Sequence, residues 1–184
     1  PIAAITHTLA LKDAPREASQ RRGLLAPAQR NADRLGTLVG DLCDLSRLDA
    51  GSITPQPEPF CLAELANDVA QEFALRARDA GIALRVAPPE APVTVLADIG
   101  LIQRVLENLI DNALKHTPDG GRVDVVVEPH VKRCAIAVAD TGSGIDSAHL
   151  PHVFDRHYAV PGRAGKASAT GLGLAIVKKI LDLH

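Results

Sequence analysis

The ten residues GSITPQPEPF, Gly51 to Phe60, constrain this chain more than any other stretch. Proline locks φ and lacks the N–H that a helix or an inner strand needs. Three prolines in ten residues therefore exclude a helix and mark a linker. The chain divides there into residues 1–50 and residues 61–184. On the first side, from Arg16 to about Asp49, the only proline is Pro27. Apolar residues recur at Ala28, Ala32, Leu35, Leu38, Val39, Leu42, Leu45 and Leu48, steps of three and four that form one helical stripe. Ahead of it, PIAAITHTLALKD carries Ile2, Ile5 and Leu9 at the same spacing, and DAPREAS makes a turn. The pattern predicts an antiparallel helical hairpin. Its arms are unequal, about 35 residues against about 13 at ~1.5 Å per residue, so the first helix is expected to begin before Pro1. A bare hairpin leaves its stripe exposed, which a dimeric four-helix bundle would cover. A monomeric helix packed on the next domain is the alternative.

Beyond the linker the pattern becomes mixed α and β. A helix is expected over about Leu62–Ala80, stopped by Gly81. Strands follow at IALRVA and VTVLAD, then a helix from about Ile99 to Lys115 with Asp98 as N-cap. TPDGG turns the chain into RVDVVVE and CAIAVAD, an alternating antiparallel pair, and a last helix begins in GLGLAIVKKILDLH. This order predicts an α/β sandwich with helices on one face of a mixed sheet. The fold class is thus α+β, a helical hairpin followed by the sandwich.

Composition removes several functions. A formal net charge of −2 gives no basic field for nucleic acid, and 2% aromatic residues give no stacking platform. Cys43, Cys61 and Cys134 are scattered and odd in number, which suits reduced thiols rather than disulfides or zinc. No apolar run approaches the roughly 20 residues that span a bilayer, and no signal peptide is evident. Met is absent even at position 1, so a piece of a longer chain is expected.

Three motifs carry chemistry. In LENLIDNALKHTP, Asn108, Asn112 and Lys115 share one helix face, opposite Ile102, Leu106 and Ile110. Two carboxamides and an ammonium in line suit a phosphate chain with a metal: Asn112 offers a carbonyl oxygen to Mg²⁺, and Lys115 a point charge to phosphate. Solvated surface residues are the plainer reading. In TGLGLAIVKKI, Gly171 and Gly173 allow close backbone approach at a helix start, whose N–H groups suit phosphate. No Lys-Ser/Thr follows, so this is not a Walker A loop. Between them, VFDRHYAVPGRAGKASA has the composition of a flap. The third motif, ADTGSGI, resembles the catalytic string of an aspartic protease. That chemistry needs two such aspartates sharing a proton, and this chain has one copy among long helices. A loop-capping aspartate is the structural alternative.

NLIDNALKHTPDGG, ADTGSGI, VFDRHY and GLGLAIV, in this order and at these separations, resemble the N, G1, F and G2 boxes of two-component sensor histidine kinases. LSRLDAG before the proline-rich linker resembles the end of that family's dimerisation helices. The resemblance implies a dimerising hairpin and a Bergerat-type ATP-binding sandwich. It implies that Asp140 accepts a hydrogen bond from the adenine amino group, with Gly142 and Gly144 letting the loop approach the base. Asn112 would take Mg²⁺, Asn108 and Lys115 would lie at the phosphates, and the turn Gly171-Leu172-Gly173-Leu174 would face them. Tyr158 and His116 would border the nucleotide. It further implies ATP and Mg²⁺ as cofactors, a homodimer, a response-regulator receiver domain as partner, and a cytoplasmic location in an inner-membrane sensor.

Bergerat ATPases carry a water-activating glutamate one turn before the metal-binding asparagine. That place holds Asn108, which is no base, and Glu107 points about 100° away. That favours a kinase over an ATPase; an anti-sigma-type serine kinase and a non-catalytic nucleotide-binding module stay as alternatives. The family's phosphoacceptor histidine would fall a few residues before Pro1, because PIAAI resembles the tail of its motif. His7 lacks the acidic neighbour and reads as an ordinary helix residue. Departures from the family pattern are Ala169 for a flap glycine, His157 for the F-box phenylalanine, and an end at LDLH before the family's final β-hairpin.

Overall fold

The computed structural model describes residues 18–87, 89, 91–130, 133–158, 160 and 171–184. The expected first helix, the turn after it, His7, Ala169 and most of the flap lie outside the described residues. The chain divides into two compact units with the boundary between Cys43 and Asp44.

The long helix α1, Ala18–Asp49, follows the apolar periodicity. Leu35, Val39 and Leu42 are exposed, whereas Leu45 and Leu48 are buried in the second unit. Gly51, at φ +62°, ends it. Ser52 N–H donates to the Arg47 carbonyl and Gly51 N–H to that of Leu48, the paired bonds of a left-handed cap.

The second unit runs β1 (Glu58–Cys61), α2 (Leu62–Asp79), β2 (Ala83–Ala87), β3 (Thr94–Ala97), α3 (Ile99–His116), β4 (Arg122–Pro129), β5 (Cys134–Asp140), a 3₁₀ turn (Leu150–His152) and α4 (Gly173–Leu183). The linker expected through Phe60 is shorter than its prolines suggest: Glu58–Cys61 is a strand, antiparallel to β3. A two-stranded pair tolerates Pro59 because one edge needs no donor. The remaining strands form a mixed sheet in the order β2-β4-β5, β2 parallel and β5 antiparallel to β4.

In β4, Val123, Val125 and Val127 alternate inward and are buried, so one face of the sheet carries the core. Leu62, Leu65, Ala66 and Val69 of α2 and Ile102, Leu106 and Ile110 of α3 cover that face. A second cluster joins Leu45 and Leu48 to Val105 of α3 and to Leu172, Ile176, Val177 and Ile180 around α4. The helix α3 therefore stands between the two clusters. Asp98 starts it: one carboxylate oxygen accepts the Leu101 N–H at 3.0 Å and the other the Gln56 N–H at 2.9 Å. The Gln56 and Leu101 amides hold the Asp98 carboxyl below the usual carboxylate range, against a smaller opposing effect of burial.

Candidate nucleotide-binding site

The motif residues gather around α3. At its C-terminal end the chain leaves β5 at Asp140 and turns: Thr141 N–H donates to the Arg122 carbonyl at 3.0 Å, and Arg122 N–H to Thr141 Oγ1 at 2.9 Å. Asp140 Oδ1 accepts the Gly142 N–H at 2.8 Å, fixing the carboxylate at the strand end. Asp140 is exposed, and its Oδ2 has no hydrogen bond among the described residues. A Cβ on Gly142 would strike the His116 carbonyl oxygen and lie 2.6 Å from Asp140 Oδ1. The loop thus rests directly on the last turn of α3, an approach open only to glycine. A Cβ on Gly144 would meet nothing within 4 Å, so it is the φ of +65° that calls for glycine there.

Along α3, Asn108 Nδ2 donates to the Arg104 carbonyl at 2.8 Å, while its Oδ1 would lie 2.8 Å from a Cβ on Gly173. The start of α4 thereby touches the amide-bearing face. Asn112 is half-buried, and its carboxamide makes no hydrogen bond among the described residues. Glu107, the other candidate base, is engaged instead: it accepts from Gln103 at 2.9 Å and faces Arg104 at 3.5 Å.

Other expected residues are placed differently. The Lys115 Nζ pairs with Asp111 Oδ2 at 2.5 Å, one turn back on α3. Leu172 is 1% exposed, buried within the second cluster; Leu174 is half-buried. His116 contributes its carbonyl beneath Gly142. The Tyr158 hydroxyl lies 2.6 Å from His149 Nδ1, with its ring 5.5 Å from that of His152. Gly171, at φ +67°, is closed by the F-box backbone: a Cβ would lie 2.7 Å from His157 Cα, and His157 N–H donates to the Gly171 carbonyl at 2.9 Å. His157 itself sits at φ +58°, a rare conformation for a non-glycine residue.

Two ion-pair clusters were not foreseen in full from the sequence. Asp111 was legible as the i−4 partner of Lys115, but its second pair, Arg76 Nη1 at 2.5 Å, comes from α2. Asp49 binds Arg156 at 2.6 Å and Lys179 at 3.2 Å. Desolvation raises the Asp49 carboxyl, but Lys179 and Arg156 outweigh it and leave it below the ordinary range. The cleft of about 440 Å³ between α2 and β2, lined by Ala70, Ala74, Ile82 and Val86 among others, contains none of the motif residues.

Residues 97–184, which hold all four motifs, match the family described as histidine kinase-, DNA gyrase B-, and HSP90-like ATPase. The sensor protein kinase PmrB of Pseudomonas aeruginosa is 36% identical over 163 residues, 89% of this chain and 33% of that protein. The chain carries the ATP-binding catalytic domain of a two-component sensor histidine kinase. Full-length ShkA, solved in complex with AMPPNP, is similar to this chain at a TM-score of 0.74 and 26% identity, covering 100% of this chain and 41% of that one. The histidine kinase ThkA, solved in complex with the response regulator protein TrrA, shares the fold at a TM-score of 0.66 and 21% identity, covering 84% of this chain and 44% of that one. The chain spans about a third of the length of PmrB. Among the described residues, no helix is long and apolar enough to cross a membrane.

Proposed function

We propose that the groove over α3 binds Mg-ATP with adenine at Asp140 and the phosphates between Asn108, Asn112, Lys115 and the Gly173 turn. The observation that carries this reading is convergence: Gly142 rests on the His116 carbonyl and Gly173 on Asn108, so two distant motifs meet the helix that carries the third. Asp140 uses Oδ1 to hold its own loop, which orients Oδ2 toward an exocyclic amine. The half-buried Asn112 oxygen suits Mg²⁺, a hard cation that keeps water and phosphate as its other ligands. When bound, Mg²⁺ would neutralise charge on the phosphoryl oxygens. The chain itself positions: α4 presents N–H groups at its start, and Asn108 offers a carboxamide where ATPases need a base.

In a protein of the length of PmrB, such a domain would transfer the γ-phosphoryl to a histidine and then to an aspartate of a receiver domain. The resemblance to PmrB and the regulator complex of ThkA support that sequence of steps. The exposed Leu35, Val39 and Leu42 support a homodimer formed through α1. Membrane anchoring would then belong to other segments of an inner-membrane sensor.

Asp140→Asn tests the adenine contact. A charge-assisted bond contributes roughly 1.5–3 kcal/mol, so calorimetry should show Mg-ATP binding weakened about 10–100-fold. Unchanged affinity would remove Asp140 from the site.

A further inference from the structure

Asp111 lies just outside the amide-bearing face yet touches the one cation expected to serve the phosphates. Its two oxygens are divided between two cations: Oδ2 to Lys115 Nζ and Oδ1 to Arg76 Nη1, each at 2.5 Å. Lys115 and Asp111 side chains are 28% and 30% exposed, so the pair is partly shielded but open enough to exchange. Arg76 comes from a different helix, and its guanidinium lies 5.8 Å from the centre of the Phe73 ring. At about 100° per residue, Lys115 stands roughly 40° from Asp111 and roughly 60° from Asn112 around α3. A four-carbon stem spans either arc, so the ammonium can pair with Asp111 or turn to the Asn112 side.

Resting on the Mg-ATP reading above, we propose that Asp111 and Arg76 are positioning residues for Lys115. Asp111 stores the ammonium while the groove lacks a triphosphate. Arg76 keeps the carboxylate paired once the ammonium has moved, so releasing Lys115 leaves no bare charge behind. Without Arg76, Lys115 would be the sole counter-ion of Asp111 and would leave it at greater cost. The two substitutions should therefore act in opposite directions, which a merely structural role for the cluster would not produce.

Calorimetry on the 184-residue chain tests this, with Mg-ATP and adenosine as probes. Pairs of this exposure are weak, so the effects are small but resolvable. Asp111→Asn should tighten Mg-ATP about two- to fivefold, and Arg76→Ala should weaken it by a similar factor, with adenosine binding unchanged in both. In a Lys115→Gln background both effects should vanish. Persistence of either effect in that background, or an equal shift for adenosine, overturns the proposal while sparing the nucleotide site. A Lys115→Gln chain that binds Mg-ATP as tightly as the parent overturns both, because Lys115 is then not at the phosphates.

Discussion

At the Asp140 end of the groove backbone rests on backbone, the Gly142 loop on the His116 carbonyl, whereas at the Lys115 end side chains hold one another through exchangeable pairs. The first end is held by groups that cannot turn aside without moving a strand or a helix. The second is held by amide and ammonium tips that reorient within their rotamers. The difference matches the two halves of the proposed ligand. A purine is rigid and rewards a preformed contact, while a triphosphate with its metal changes shape and charge during transfer. A fixed base end and an adaptable phosphate end would let one helix serve both halves of the proposed ligand.

The largest effect should come from Gly142→Ala. Its Cβ would strike a main-chain carbonyl, so the loop must lift away from α3 and carry Asp140 with it. Mg-ATP affinity by calorimetry should fall at least as far as in Asp140→Asn, and thermal unfolding should show a loss of about 1–3 kcal/mol, as for an overpacked site. A well-bound nucleotide in this variant would show that the base end is as pliable as the other.

Asp98→Ala acts on the helix that both ends share and should disturb them equally. Loss of the cap costs about 0.5–2 kcal/mol. Because the folded carboxyl titrates below its unfolded value, its stabilisation is fully present above the unfolded pKa and is lost as pH falls through the folded one. Urea unfolding of parent and variant should therefore differ near neutral pH and begin to converge only as the pH falls below about 4. A difference that grows in acid would contradict the assignment.

Gly173→Ala should be the mildest. Its Cβ meets the tip of Asn108 rather than backbone, and alanine is the better helix former, by up to about 1 kcal/mol. Stability should hold or rise while Mg-ATP affinity drops a few-fold as Asn108 turns aside. Equal losses in Gly142→Ala and Gly173→Ala would erase the contrast between the ends.

Much of this was legible beforehand where local rules govern. The Asp98 cap and the Ile102, Leu106, Ile110 spacing placed α3, and the alternating valines placed β4. The strand at Glu58–Cys61 was hidden because Pro57 and Pro59 argue against pairing, and only its partner β3 rescues it. The separation of β1 and β3 from the main sheet is a tertiary fact with no local signal. The same holds within the site. Residue types and spacing pointed to Asn108 and Asn112, and the family resemblance to Asp140, but neither pointed to the Gly142 contact with His116 or the Arg76 hold on Asp111, which depend on how elements pack. Leu172 shares a motif with the glycines yet faces the core, because a helix start must also bury its apolar side.

The most direct measurement is amide chemical-shift mapping of the chain titrated with Mg-AMPPNP. The expected result is a set of shifts centred on Gly142, Gly144, Asn112 and Gly173, saturating together. Shifts confined to the α2–β2 cleft around Ala74 and Ile82, or none at all, would contradict it.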